Sequence, residues 1–151
     1  EKLHQQEWIK RGKSGAFAEP FFKQFHENLI SKRFEHGEIQ LIKVYNKTDN
    51  IGFLYNFVFN NEVLFYQSGF NYKENNNHLR PGLISHYLTI NECINKNFDK
   101  YNFLVGETQY KSSLSTDHDT LNSIVISRKS LKSRFEYFLR NIQKRIKQSD
   151  R

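Results

Sequence analysis

The chain has 151 residues, 37% hydrophobic and 26% charged, which is the size and balance of one globular domain and excludes a disordered chain. A single cysteine, Cys93, excludes an internal disulfide framework, and no run of 18 apolar residues is present to span a membrane. The formal charge of +7 sits in one stretch: Arg128 to Arg151 holds nine basic and two acidic residues and the rest is balanced at 14 of each, which excludes a basic nucleic-acid-binding body.

The chain opens on the polar run Glu1-Lys2-Leu3-His4-Gln5-Gln6, which is no signal peptide, so a cytoplasmic location is expected. It contains no methionine, even at residue 1, which is expected of a piece of a longer protein. The region of Trp8, Ile9 and Phe17 fits no single element. A helix is expected from Pro20 to about Phe34, because proline suits a first helical turn and Phe21, Phe22, Phe25, Leu29 and Ile30 recur at helical spacing. Gly37 is placed to end it in a left-handed conformation. Three strands follow: Ile39 to Tyr45, Ile51 to Phe59 and Glu62 to Gly69. In the second, Ile51, Phe53, Tyr55, Phe57 and Phe59 alternate onto one face. Asn60-Asn61 supplies the two positive-φ residues of a tight hairpin, so an antiparallel meander is expected.

After a loop from Phe70 to Leu79, Arg80-Pro81-Gly82 should open a second helix with Leu83, Tyr87, Ile90, Ile94 and Phe98 on one stripe. Tyr101 to Val105 reads as a short strand reached through that helix, hence parallel to the third strand. Leu121 to Ser127 reads as a further strand. Leu131, Phe135, Phe138, Ile142 and Ile146 mark a final amphipathic helix. The fold class is therefore α+β, a mixed sheet with helices on its faces. The expected division is a domain over 1–127 and a basic amphipathic helix over 128–151 packed on it; such a helix also suits an anionic membrane face.

Two places carry chemistry. At Arg80-Pro81-Gly82 a helix N-terminus follows a strand and loop, and its unpaired N–H groups and positive dipole end suit a phosphate. Arg80 adds charge and Gly82 allows a close approach; the same three residues also serve simply to start a helix. At Val105-Gly106-Glu107-Thr108-Gln109-Tyr110-Lys111, a glycine at the strand exit precedes a carboxylate, a phenol and an ammonium. The carboxylate can take a proton from an incoming nucleophile and the phenol can return one to a leaving group; a polar loop with a Glu–Lys surface pair is the plainer alternative. The histidines (His4, His26, His36, His78, His86 and His118) have no metal-ligand spacing, so no metal is expected. Cys93 reads as a core thiol.

The runs Phe65-Tyr66-Gln67-Ser68-Gly69-Phe70, Arg80-Pro81-Gly82 and Tyr101 to Lys111 together resemble the CelD-like, FemAB-related branch of the GNAT acyltransferases. In that family a strand ending in a Gly-Phe run precedes a Pro-Gly helix start, and a later strand runs into a glycine, an acid, a tyrosine and a lysine. Gly106, Glu107, Tyr110 and Lys111 fall on those four positions. The family's strand Asp is Asn102 here, and its Arg before the glycine is Val105. The resemblance implies a GNAT-like fold and acyl transfer from acetyl-CoA or another acyl-CoA to an amine or hydroxyl of a cell-envelope or polysaccharide acceptor in a bacterial cell. It implies Glu107, Tyr110 and Lys111 as catalytic residues and Arg80, Pro81, Gly82 and Gly106 as donor-binding residues. It also implies a second GNAT-like half in the same protein. The alternatives are aminoacyl transfer from aminoacyl-tRNA, as in FemAB-type relatives, and a non-catalytic interaction module.

Overall fold

The computed structural model describes residues 1–72 and 80–124, and beyond them positions 126, 130, 135 and 138. The chain forms two compact units, Glu1–Thr116 and Asp117–Arg151.

The first unit opens with α1 (Lys2–Lys10), where the sequence pattern is ambiguous. The helix was hidden because its buried residue is a histidine: His4 lies inside, and Trp8 Nε1 donates to its Nε2 at 2.9 Å one turn away. A 3-10 turn at Ala16–Ala18 leads to α2 (Pro20–Arg33), close to the expected span, and Gly37 follows with φ 74°. The meander forms as expected from β1 (Ile39–Tyr45), β2 (Asn50–Phe59) and β3 (Glu62–Phe70). Asn60 and Asn61 take φ of 48° and 59°, the hairpin geometry that their side chains tolerate. Beyond a crossover, α3 (Pro81–Asn95) is followed by β4 (Lys100–Asn102), then by α4 (Gln109–Leu114). Among the described residues the sheet has the order β1-β2-β3-β4, antiparallel except for the parallel β3–β4 pair.

The core departs from the sequence pattern in two places. On β2 the expected face is only partly covered: Tyr55 is buried under α2, but Phe53 and Phe59 are exposed. The opposite face is the drier one, with Leu54 and Asn56 at 1% and 0% exposure, because α3 packs there. On α3 the expected apolar stripe is not the packed one. Tyr87 and Ile94 are exposed, whereas Pro81, Ser85, His86, Thr89 and Cys93 are buried. Small residues bring helix and sheet together: a Cβ on Gly52 would stand 3.3 Å from Ser85 Oγ. Thr89 satisfies its own hydroxyl by donating to Ser85 O at 2.8 Å.

α1 docks on β3 just as closely, since a Cβ on Gly69 would stand 2.9 Å from His4 N and 3.0 Å from Leu3 Cβ. Gly69→Ala must therefore push α1 outward and is expected to destabilise the unit by about 1–3 kcal/mol. Thermal unfolding checks this; an unchanged melting temperature would mean that α1 does not rest on β3.

β4 is shorter than the expected Tyr101–Val105 and ends at Asn102. The stretch between Val105 and Leu121, for which the sequence pattern gives no element, holds the short helix α4. The strand expected over Leu121 to Ser127 is not formed at 121–124 or 126, where Leu121, Ile124 and Ile126 are exposed; positions 125 and 127 lie outside the described residues. The expected final helix also lies outside them, except that Phe135 and Phe138 are helical and exposed. Most of the loop before Arg80, residues 73–79, lies outside as well.

Candidate active site at the β3–β4 fork

Strands β3 and β4 pair over three residues only: Glu62↔Lys100, Val63↔Tyr101 and Leu64↔Asn102. Then they part, and local sequence accounts for both sides of the fork. On β4, Asn102 Oδ1 accepts the N–H of Leu104 at 2.8 Å, and Leu104 takes φ 54°. This side-chain turn diverts the chain and ends the strand. On β3, the register to β2 passes from Asn56↔Phe65 to Tyr55↔Gln67, so Tyr66 is an extra, bulged residue two positions beyond the last β3–β4 pair. A bulge bends its strand and breaks the ladder there. β3 continues to Phe70 with β2 on one side only.

The Asn102 turn is testable. Asn102→Ala removes the acceptor for the Leu104 N–H and is expected to destabilise by about 0.5–1.5 kcal/mol. Asn102→Asp keeps an acceptor oxygen and should retain most of the stability in denaturant unfolding.

The segment after the fork carries the sequence motif. Gly106 has φ +106°, a conformation favouring glycine, within the loop from Val105 to Thr108. Lys111 closes this loop, its Nζ donating to Val105 O at 2.9 Å. Burial lowers the Lys111 pKa below the ordinary ammonium value. Tyr110 is half-buried, and burial pushes its phenol up, with Thr108 pulling the other way. Glu107 is exposed on the same loop, and none of the described residues bonds to it. Tyr110 and Lys111 are thus turned inward and brought together, while Glu107 faces solvent.

Arg80 is the exposed N-cap of α3, and Pro81 fills the first helical position and is buried. A Cβ on Gly82 would stand 3.2 Å from the Phe70 ring, so this glycine lets the end of β3 pack against the helix start. The helix N-terminus is thereby fixed to the far end of the strand that leaves the fork.

The residue that sequence reading passed over is His86. It is 0% exposed, and five aromatic side chains of the sheet and of the segments after it surround it: Phe65, Phe70, Tyr101, Phe103 and Tyr110. Its Nδ1 lies 2.9 Å from the Tyr101 hydroxyl. Its Nε2 is buried with no hydrogen-bond partner among the described residues. Burial, with the nearby Lys111 ammonium, lowers its pKa to about 4. The same burial pushes the Tyr101 phenol far above its usual range. At neutral pH the cluster therefore holds a neutral imidazole beside two neutral phenols.

A parallel pair that parts beyond Leu64 and Asn102, with a helix starting against the end of β3, agrees with the mixed sheet and parallel crossover expected from the sequence. Residues 2–112 match the family model described as an acetyltransferase (GNAT) domain. The chain belongs to this family. The match spans α1 to the middle of α4 and includes the fork and the His86 cluster, so this GNAT domain lies within the first compact unit. Comparison with curated proteins and with solved structures gives no match. Among the described residues of the GNAT chain, no group of three or more His, Cys, Asp or Glu side chains is placed to hold a metal ion. None of their helices is long and apolar enough to cross a membrane.

Proposed function

We propose that this GNAT domain transfers an acyl group from acetyl-CoA or another acyl-CoA to an amine or hydroxyl, with the donor's pantetheine arm in the β3–β4 fork. The observation that carries the reading is the fork itself: beyond Leu64 and Asn102, β3 runs on to Phe70 without β4 beside it. Its backbone groups on that side are obligatory hydrogen-bonding groups, suited to an extended amide-bearing chain. The donor fits the rest of the frame, because the first turn of α3 offers unpaired N–H groups and Arg80 an exposed guanidinium to a pyrophosphate. Pro81 fixes that turn, and Gly106 shapes the loop at the other end of the fork.

The chemistry assigned to the loop is as follows. The acceptor nitrogen or oxygen attacks the thioester carbonyl, the new acyl bond forms and the C–S bond breaks. Glu107, open to solvent, takes the acceptor's proton. Tyr110, whose phenol is neutral at working pH, gives its proton to the leaving CoA thiolate and regains one from solvent. Lys111, fixed at Val105 O, places positive charge near the anionic donor. An acceptor from the cell envelope, such as a polysaccharide amine or hydroxyl, follows from the likeness to the CelD-like branch.

Thermal unfolding against acetyl-CoA tests the reading. Donor binding should stabilise the protein by about 2.7 kcal/mol at one hundred times the dissociation constant. A melting temperature that does not move at millimolar acetyl-CoA would overturn it.

A further inference from the structure

His86 bridges the two strands at the point where they part. The last β3–β4 pair is Leu64↔Asn102, and the next residue of each strand packs on the imidazole: Phe65 at 4.5 Å and Phe103 at 5.3 Å between ring centroids. Tyr110 lies on the same ring, 4.9 Å away and parallel to within 5°. A phenyl ring would fill this apolar place without a buried polar atom. The imidazole instead leaves Nε2 unpartnered, which costs about 1–3 kcal/mol. What an imidazole adds is orientation. Its Nδ1 is tied to the Tyr101 hydroxyl at 2.9 Å, which fixes the plane against which Tyr110 lies.

We propose that His86 is a positioning residue of the acyl-transfer site: its ring, locked by the Tyr101 hydroxyl, carries the Tyr110 ring and holds that phenol beside the parting of β3 and β4. The catalytic purpose rests on the acyl-transfer reading above; the hold on Tyr110 does not. The titratable groups around Tyr110 are His86 on α3, Tyr101 on β4, Tyr72 just after β3 and Lys111 on its own helix. With His86 neutral through the physiological range, the support keeps its charge while Tyr110 exchanges a proton.

The test uses the full chain labelled at the tyrosine ring Cζ, with the Tyr110 resonance assigned by its loss in Tyr110→Phe. In the wild type this resonance should titrate above the ordinary tyrosine range. In His86→Leu it should shift and titrate closer to that range. Tyr101→Phe, which removes only the anchor of the imidazole, should move it in the same direction. An unchanged Tyr110 resonance in folded His86→Leu, or in Tyr101→Phe if His86→Leu does not fold, overturns the proposal. A second arm separates positioning from simple structural support. With acetyl-CoA as probe and water as acceptor, His86→Leu should keep its KM for acetyl-CoA while kcat for CoA release falls by about tenfold or more. An unchanged kcat overturns the catalytic purpose. A wild type that does not bind acetyl-CoA removes the acyl-transfer reading, and the tyrosine titration still decides the hold on Tyr110.

Discussion

Tyr110→Phe is expected to lower acyl-transfer turnover by about 10²–10⁴-fold while leaving the domain folded, the range typical of losing a positioned proton donor. The phenyl ring keeps the face that lies on His86 and the contact with Phe103, so packing is preserved and the hydroxyl alone is lost. Glu107→Gln should produce a loss of the same order, since the exposed carboxylate can be made neutral without disturbing a bond among the described residues. Rates from rapid mixing with acetyl-CoA and an amine acceptor, beside unfolding curves, decide the matter. Two folded variants with full turnover would leave the loop a structural one.

Acidification should destabilise the protein between about pH 6.5 and pH 4. His86 has a folded pKa of about 4 against an ordinary value of 6.5, so as pH falls the unfolded chain takes up the proton first. Stability is therefore lost on going down through that window, by roughly 3 kcal/mol from this residue, and levels off below it. His4 and His26 contribute with the same sign, because burial lowers both. His26 is enclosed by rings, with Tyr55 and Tyr66 hydroxyls at 3.1 and 3.2 Å from its two nitrogens. Denaturant unfolding at pH 7 and pH 4.5 measures the effect. His86→Leu should flatten the dependence, and a wild-type stability constant over the window would show that these imidazoles titrate normally.

The meander was legible because its signals are local. Asn60-Asn61 states its own turn, and β1 ends where Asn46 begins a side-chain turn, accepting the N–H of Thr48 and Asp49 at 2.9 and 2.7 Å. The parallel place of β4 followed from the crossover helix. The packed face of α3 was not legible, because periodicity weighs residues by hydrophobicity and the helix approaches the sheet through Ser85, His86 and Thr89. The end of β4 was missed for a related reason. Phe103, Leu104 and Val105 have strand chemistry, but the Asn102 side chain captures the Leu104 N–H first.

For the candidate site, the motif from Gly106 to Lys111 marked the loop that follows the fork, yet its inward and outward halves could not be told apart. Tyr110 is drawn in by the His86 ring, a partner 24 positions away that no local pattern announces. A histidine within the helix, with aromatic residues at 65, 101, 103 and 110, was the available signal, but the histidines were read only for metal-ligand spacing.

The placement of the donor in the fork is tested most directly by amide hydrogen exchange with and without acetyl-CoA. The amides of Phe65 to Phe70 that β2 leaves unpaired should slow by about tenfold or more when the donor is bound near saturation, together with those in the first turn of α3. Protection confined to other parts of the chain, with Phe65 to Phe70 exchanging as before, would contradict the account.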